Sequence, residues 1–138
     1  MTHNEFIPAK FLPTFNSGVI ECFLHKIPGL AELFVYANDD FYLFNETRPD
    51  DMFDGIMPLL RCKRGICVNG EPQYDAMCAD MTESVYAELS MSYVKGLFIR
   101  QAHGHTAYNK TIYGKIHDLF KKRIYANCFP FRTSSDTT

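Results

Sequence analysis

Pro28-Gly29 separates two patterns that cannot belong to one element. Before it, Val19, Ile20, Phe23, Leu24 and Ile27 recur at helical spacing, led by Asn16-Ser17, whose side chains suit a helix N-cap. After it, Leu33 to Ala37 is a short apolar run with one β-branched and two aromatic residues, the pattern of a buried strand. Proline then glycine ends the helix. Helix, break and buried strand together predict an α/β layer.

That strand runs into Asn38-Asp39-Asp40, in FVYANDDF. Two adjacent carboxylates repel unless water, a cation or a substrate neutralises them. Strand alternation puts Asn38 and Asp40 on one face and Asp39 on the other. In open α/β sheets, ligand and metal sites gather at the carboxyl ends of strands. Oxygen donors there suit Mg2+ or Mn2+. An Asx-rich turn that simply stops the strand accounts for the same residues.

Further along, residues 45–55 form a polar acidic loop, and 59–69 read as a second strand or hairpin. A weak helical pattern spans Tyr74 to Ser90, and 96–100 is a short apolar patch. Ile112, Tyr113, Ile116, Leu119 and Phe120 share one face of a helix expected from Lys110 to Arg123. Its last residues are basic, as the helix dipole favours.

The length of 138 residues suits one modest domain, and 46% hydrophobic residues allow a packed core. A net charge of −2 supplies no basic field for nucleic acid. No apolar window is long enough to span a membrane, and MTHNEFIPAKF lacks a signal core. The expected location is therefore cytoplasmic, with the inner face of the membrane as a peripheral docking place. Five cysteines, an odd number, read as reduced thiols rather than zinc ligands.

Three groups could do chemistry. His103 and His105 flank Gly104, and a loop histidine of near-neutral pKa can act as a general base or merely face solvent. His25, near the end of the first helix, reads as satisfying terminal carbonyls, and His117 as structural. Arg132 follows Pro130 by two residues; its guanidinium can hold a phosphate bidentately or lie on the surface.

The run FNSGVIECFLHKIPGLAELFVYANDDF, residues 15–41, resembles the second conserved region of the Stealth family. The likeness is carried by Phe15-Asn16-Ser17, Ile20-Glu21, Leu24-His25, Ile27-Pro28-Gly29-Leu30, Phe34, Tyr36 and Asn38-Asp39-Asp40. A second block, from His105 through the helix to Phe131-Arg132 and Asp136, is similar to the third conserved region. It lacks the histidine that opens the closing segment. Stealth proteins are sugar-phosphate transferases and include bacterial capsule polymerases.

The resemblance implies a Rossmann-like layered core. It implies transfer of hexose-1-phosphate from a nucleotide-sugar donor to a glycan hydroxyl, with Mg2+ or Mn2+ held by Asp39 and Asp40. It assigns catalysis to His105, Arg132 and Asp39, with His105 taking the acceptor proton. Substrate binding falls to Asn16, Ser17, His25 and Asn38, although Asn16 and Ser17 suit capping equally. Glu21 and His25, four apart, would brace the site. The family's first and fourth regions are not in the sequence. The expectation is thus a single domain over 1–138, the middle of a longer enzyme, weakly active alone and self-associating through an open strand edge. A hexosyltransferase and a non-catalytic fragment are the competing readings.

Overall fold

A computed structural model describes residues 1–39, 41–66, 73–102 and 104–131, with the backbone alone at 73, 74 and 77. In chain order the elements are α1 (Ser17–Cys22), β1 (Leu33–Tyr36), β2 (Phe53–Asp54), β3 (Met57–Pro58), β4 (Cys62–Ile66), α2 (Gln73–Glu88), β5 (Leu97–Gln101), β6 (Thr106–Asn109), α3 (Lys110–Leu119) and α4 (Lys121–Ala126). Contacts divide the chain into two compact units. Among the described residues, one takes in 1–59 and 104–131; the other is 60–102.

In the first unit, Asn16 caps α1: its Oδ1 accepts from the Gly18 N–H at 3.0 Å. The apolar period runs on to Ile27, but the α-helix stops at Phe23, whose N–H bonds the carbonyls of Glu21 and Ile20. A 3-10 turn, Leu24–Lys26, follows and keeps Leu24 buried. Gly29 then turns the chain at φ +73°, a conformation glycine adopts without a Cβ penalty. β1 pairs antiparallel with β6, with Leu33 opposite Asn109, Phe34 opposite Tyr108, Val35 opposite Ala107 and Tyr36 opposite Thr106. Phe6, Ile7, Val19 and Phe23 form the core, flanked by Phe11, Leu12, Ile20 and Tyr125.

The expected single helix from 110 to 123 is two helices, broken at Phe120, whose N–H bonds the carbonyls of Asp118 and Ile116. Asn109, 5% exposed, joins three elements. Its Oδ1 accepts from the Ile112 N–H at 2.9 Å, capping α3, and its Nδ2 donates to the Ile56 carbonyl at 3.2 Å. Asn109→Ala is expected to cost about 1–2 kcal/mol in a urea titration, the upper range for a lost cap. Asn109→Asp keeps the capping oxygen but loses the donor to the Ile56 carbonyl and faces it with a carboxylate oxygen, so it should recover only part of the loss.

The second unit is the antiparallel β4–β5 ladder, from Cys62 opposite Gln101 to Ile66 opposite Leu97, with α2 packed on it through Cys78, Ala79 and Phe98. The Thr82 hydroxyl donates to the Cys78 carbonyl at 2.7 Å and accepts from the Ile99 N–H at 3.0 Å. Gly65 lies under Phe98, where a Cβ would stand 2.8 Å from the ring.

The α/β class stands. All three sheets among the described residues are two-stranded and antiparallel, so β1 finds its neighbour downstream in β6, not in a parallel upstream strand. Antiparallel pairing needs no helical crossover between the partners. No helix among the described residues is long and apolar enough to cross a membrane.

Candidate functional site

The strand end that drew attention in the sequence lies in the first unit. Asn38 and Asp39 follow β1 and are exposed; Asp40 and Arg132 lie outside the described residues, as does His103. His105 is half-buried and directly precedes Thr106, the partner of Tyr36. Because the pair is antiparallel, the start of β6 lies beside the end of β1. His105 and Asn38-Asp39 therefore flank the same end of one ladder. Phe131, the chain neighbour of Arg132, stacks on Phe15 with ring centroids 5.4 Å apart, and the Phe15 N–H donates to the Pro130 carbonyl at 2.8 Å.

Tyr36 ties this strand end to α1. Its hydroxyl lies within donating distance of two acceptors, Glu21 Oε1 at 3.2 Å and Asn38 Oδ1 at 3.0 Å. Burial, and then the neighbouring Glu21 carboxylate, push the phenol up to about 12. From α3, the Tyr113 hydroxyl donates to the Glu21 carbonyl at 2.8 Å. Tyr108 of β6 meets the Tyr113 ring edge-on at 5.1 Å. Glu21 is thus fixed at its backbone by α3 and contacted at its carboxylate by β1.

The resemblance gave Glu21 and His25 a shared helix face. The break at Phe23 ends the helix between them, and both meet Tyr113 instead: Glu21 by its carbonyl, His25 by stacking at 5.5 Å with the rings 24° apart. The signal for the Tyr36–Asn38 contact was present in the sequence, since residues two apart on a strand share a face.

Of the other expected residues, Asn16 is 1% exposed with its oxygen engaged as a cap, while Ser17 is exposed. His25 does not satisfy helix carbonyls; its Nδ1 is buried without a hydrogen bond. His117 is 1% exposed, as a structural residue should be, and packs against His25 at 4.6 Å and Phe23 at 5.2 Å. Neither of its ring nitrogens has a hydrogen bond, and Asp118 Oδ1 lies 3.6 Å from Nδ1, too far for one. Cys22 is no nucleophile at neutral pH: burial, with Cys128 and Glu21 adding to it, pushes its thiol up to about 12.

Burial, then the charges of His117 and Lys26, push the His25 imidazole down to about 4. Burial and then Lys26 lower His117 too, against the opposing Asp118 carboxylate. Lys110 and Lys121 add positive charge around the pair. Both rings are therefore neutral in the folded chain at neutral pH. Unfolding restores the ordinary histidine value near 6.5, so below it the unfolded chain binds more protons. The stabilisation is complete above about pH 6.5 and is lost as pH falls toward 4. Melting temperatures across that window should fall with pH, and a His25→Phe, His117→Phe chain should show a flatter profile.

Residues 1–57 match Stealth protein CR2, conserved region 2. Over 68 residues the chain is 41% identical to a capsular polysaccharide phosphotransferase of Actinobacillus suis, covering 48% of this chain and 18% of that relative. It is 43% identical over 79 residues to the capsular polysaccharide phosphotransferase SacB of Neisseria meningitidis serogroup A, covering 52% of this chain and 14% of SacB. A capsular polysaccharide phosphotransferase of Streptococcus thermophilus is 47% identical over 58 residues, or 42% of this chain and 24% of the relative. The chain thus corresponds to only a small part of these curated relatives. The likeness read from FNS to NDDF is borne out: residues 1–57, which hold α1, β1 and the Asn38-Asp39 strand end, match the second conserved region of Stealth proteins.

Proposed function

We propose that this chain is the part of a sugar-phosphate transferase that carries the acceptor base and cation end of the site. The enzyme would move hexose-1-phosphate from a nucleotide sugar to a glycan hydroxyl in capsular polysaccharide synthesis. The observation that carries this reading is the convergence of His105, Asn38 and Asp39 on one end of the β1–β6 ladder, with β1, Asn38 and Asp39 inside the residues 1–57 that match Stealth conserved region 2. In this reading, the Rossmann-like sheet expected of the whole enzyme is built largely from regions that the longer relatives possess.

The described donors at the strand end, the Asn38 amide and the Asp39 carboxylate, are hard oxygens, which fit Mg2+ or Mn2+. No group of three His, Cys, Asp or Glu among the described residues could hold a metal unaided. That agrees with Mg2+ binding, which takes one or two carboxylates and completes its shell with water and substrate phosphates. Asp39 and Asp40 would hold the ion; when bound, it draws negative charge off the phosphoryl oxygens. His105 accepts the proton of the acceptor hydroxyl as that oxygen bonds to the phosphorus next to the hexose. Arg132 holds a non-bridging oxygen of that phosphorus. The bond to the nucleoside-side phosphate oxygen breaks, and nucleoside monophosphate leaves. Positioning and charge neutralisation supply most of such catalysis.

The test is calorimetry of nucleotide sugar with and without Mn2+, together with product analysis. Metal-dependent binding that Asp39→Asn abolishes, and release of nucleoside monophosphate, are expected. Equal affinity without metal would count against the cation site, and release of nucleoside diphosphate would make the enzyme a hexosyltransferase.

A further inference from the structure

One phenol proton faces two acceptors at Tyr36. Its oxygen lies 3.2 Å from Glu21 Oε1 and 3.0 Å from Asn38 Oδ1, and a hydroxyl cannot donate fully to both. The two acceptors are unequal. A carboxylate takes a charge-assisted hydrogen bond, roughly twice as strong as one to a neutral amide oxygen. With the proton given to Glu21, the phenol oxygen offers Asn38 only lone pairs. An amide oxygen facing those lone pairs is repelled, whereas an amide turned over donates its Nδ2–H to them. We propose that Tyr36 is a positioning residue for the strand-end site, setting a directed chain from Asn38 Nδ2–H to the Tyr36 oxygen and from the Tyr36 hydroxyl to Glu21.

The chain has a consequence for ligand binding, which rests on the function proposed above. Once the Asn38 nitrogen is held by Tyr36, its oxygen turns away from the phenol, toward the exposed side of the strand end. The Asn38 side chain then offers a cation at the strand end a hard oxygen instead of a nitrogen. Tyr36 would not touch the ion; it would act through Asn38. Its position is itself well determined, because β1 is locked to β6 at Tyr36–Thr106 and Glu21 is held by Tyr113.

The experiment uses the 15N-labelled chain and Mn2+ alone. In the metal-free wild type, the Asn38 side-chain amide protons should be well separated in shift and slow to exchange. Tyr36→Phe should bring the two protons together and speed their exchange while the backbone amides of Val35 and Ala107 stay in place, which shows the ladder intact. Glu21→Gln should also move the Asn38 amide signal, since it weakens the far end of the chain. Mn2+ affinity should fall roughly tenfold in Tyr36→Phe, as for other residues that orient a metal ligand. An Asn38 amide unchanged in Tyr36→Phe overturns the hydrogen-bond chain. A changed amide with unchanged Mn2+ affinity overturns the positioning role. A wild-type chain that takes up no Mn2+ sinks the cation reading of the function and the Mn2+ role of Tyr36, while the amide signals still decide the chain itself.

Discussion

His105→Ala is expected to lower kcat for nucleoside monophosphate release roughly 100- to 10,000-fold, the range typical of a lost general base. The donor KM should change little, because in the proposed mechanism the imidazole contacts the acceptor proton and not the nucleotide sugar. The measurement belongs in a protein that carries the further regions of the longer relatives. His105→Gln should be nearly as poor, since an amide can hydrogen-bond a hydroxyl but cannot take its proton. Near-normal turnover in both would move the base to another residue.

Phe23→Ala should remove about 3–5 kcal/mol of stability, read from urea unfolding, as buried phenylalanines do elsewhere. Phe23 is 0% exposed and lies at the meeting point of α1, the lead-in segment and the C-terminal helices. Its ring packs against Phe11 at 5.7 Å, His117 at 5.2 Å and Tyr125 at 6.2 Å. Truncation leaves a cavity beside a histidine with no hydrogen bonds, so neighbouring rings have little reason to close over it. Domains are stable by only about 5–15 kcal/mol, so this loss is a large fraction of the total. Phe23→Leu, which keeps most of the volume, should cost well under half as much. Equal losses in the two would mean that shape, not volume, dominates there.

Local signals made β1, the N-cap at Asn16 and the start of α3 legible, because capping residues and apolar spacing act over a few neighbours. The two helix breaks were not legible. The apolar period continues through Phe23 and through Phe120, and only the backbone, tightening into a 3-10 turn after Phe23, reveals the change of element. β6 was hidden for a different reason. Thr-Ala-Tyr-Asn is a weak strand by composition and lies between the loop histidines and the helix expected from Lys110; pairing with β1, far away in sequence, makes it extended. α2 was faint because, among its described side chains, only Cys78, Ala79 and Thr82 are buried. Asn38, Asp39 and His105 were legible as chemistry, whereas the Glu21–Tyr36–Tyr113 connections needed three elements to be assembled first.

The β1–β6 ladder also governs how this chain can fold and vary. Tyr36 pairs with Thr106, closing a loop of about 70 residues, and such contacts form late because closure entropy precedes their reward. The β4–α2–β5 unit lies wholly inside that loop, and its ladder, which pairs residues 31 to 39 apart, closes a shorter stretch of chain and can form first. Once a loop is this long, doubling it costs only about 0.6 kcal/mol more. Residues 60–102, which form the separate unit within that loop, are therefore the part free to grow, shrink or be exchanged, while the histidine and carboxylate at the ladder's end keep their places.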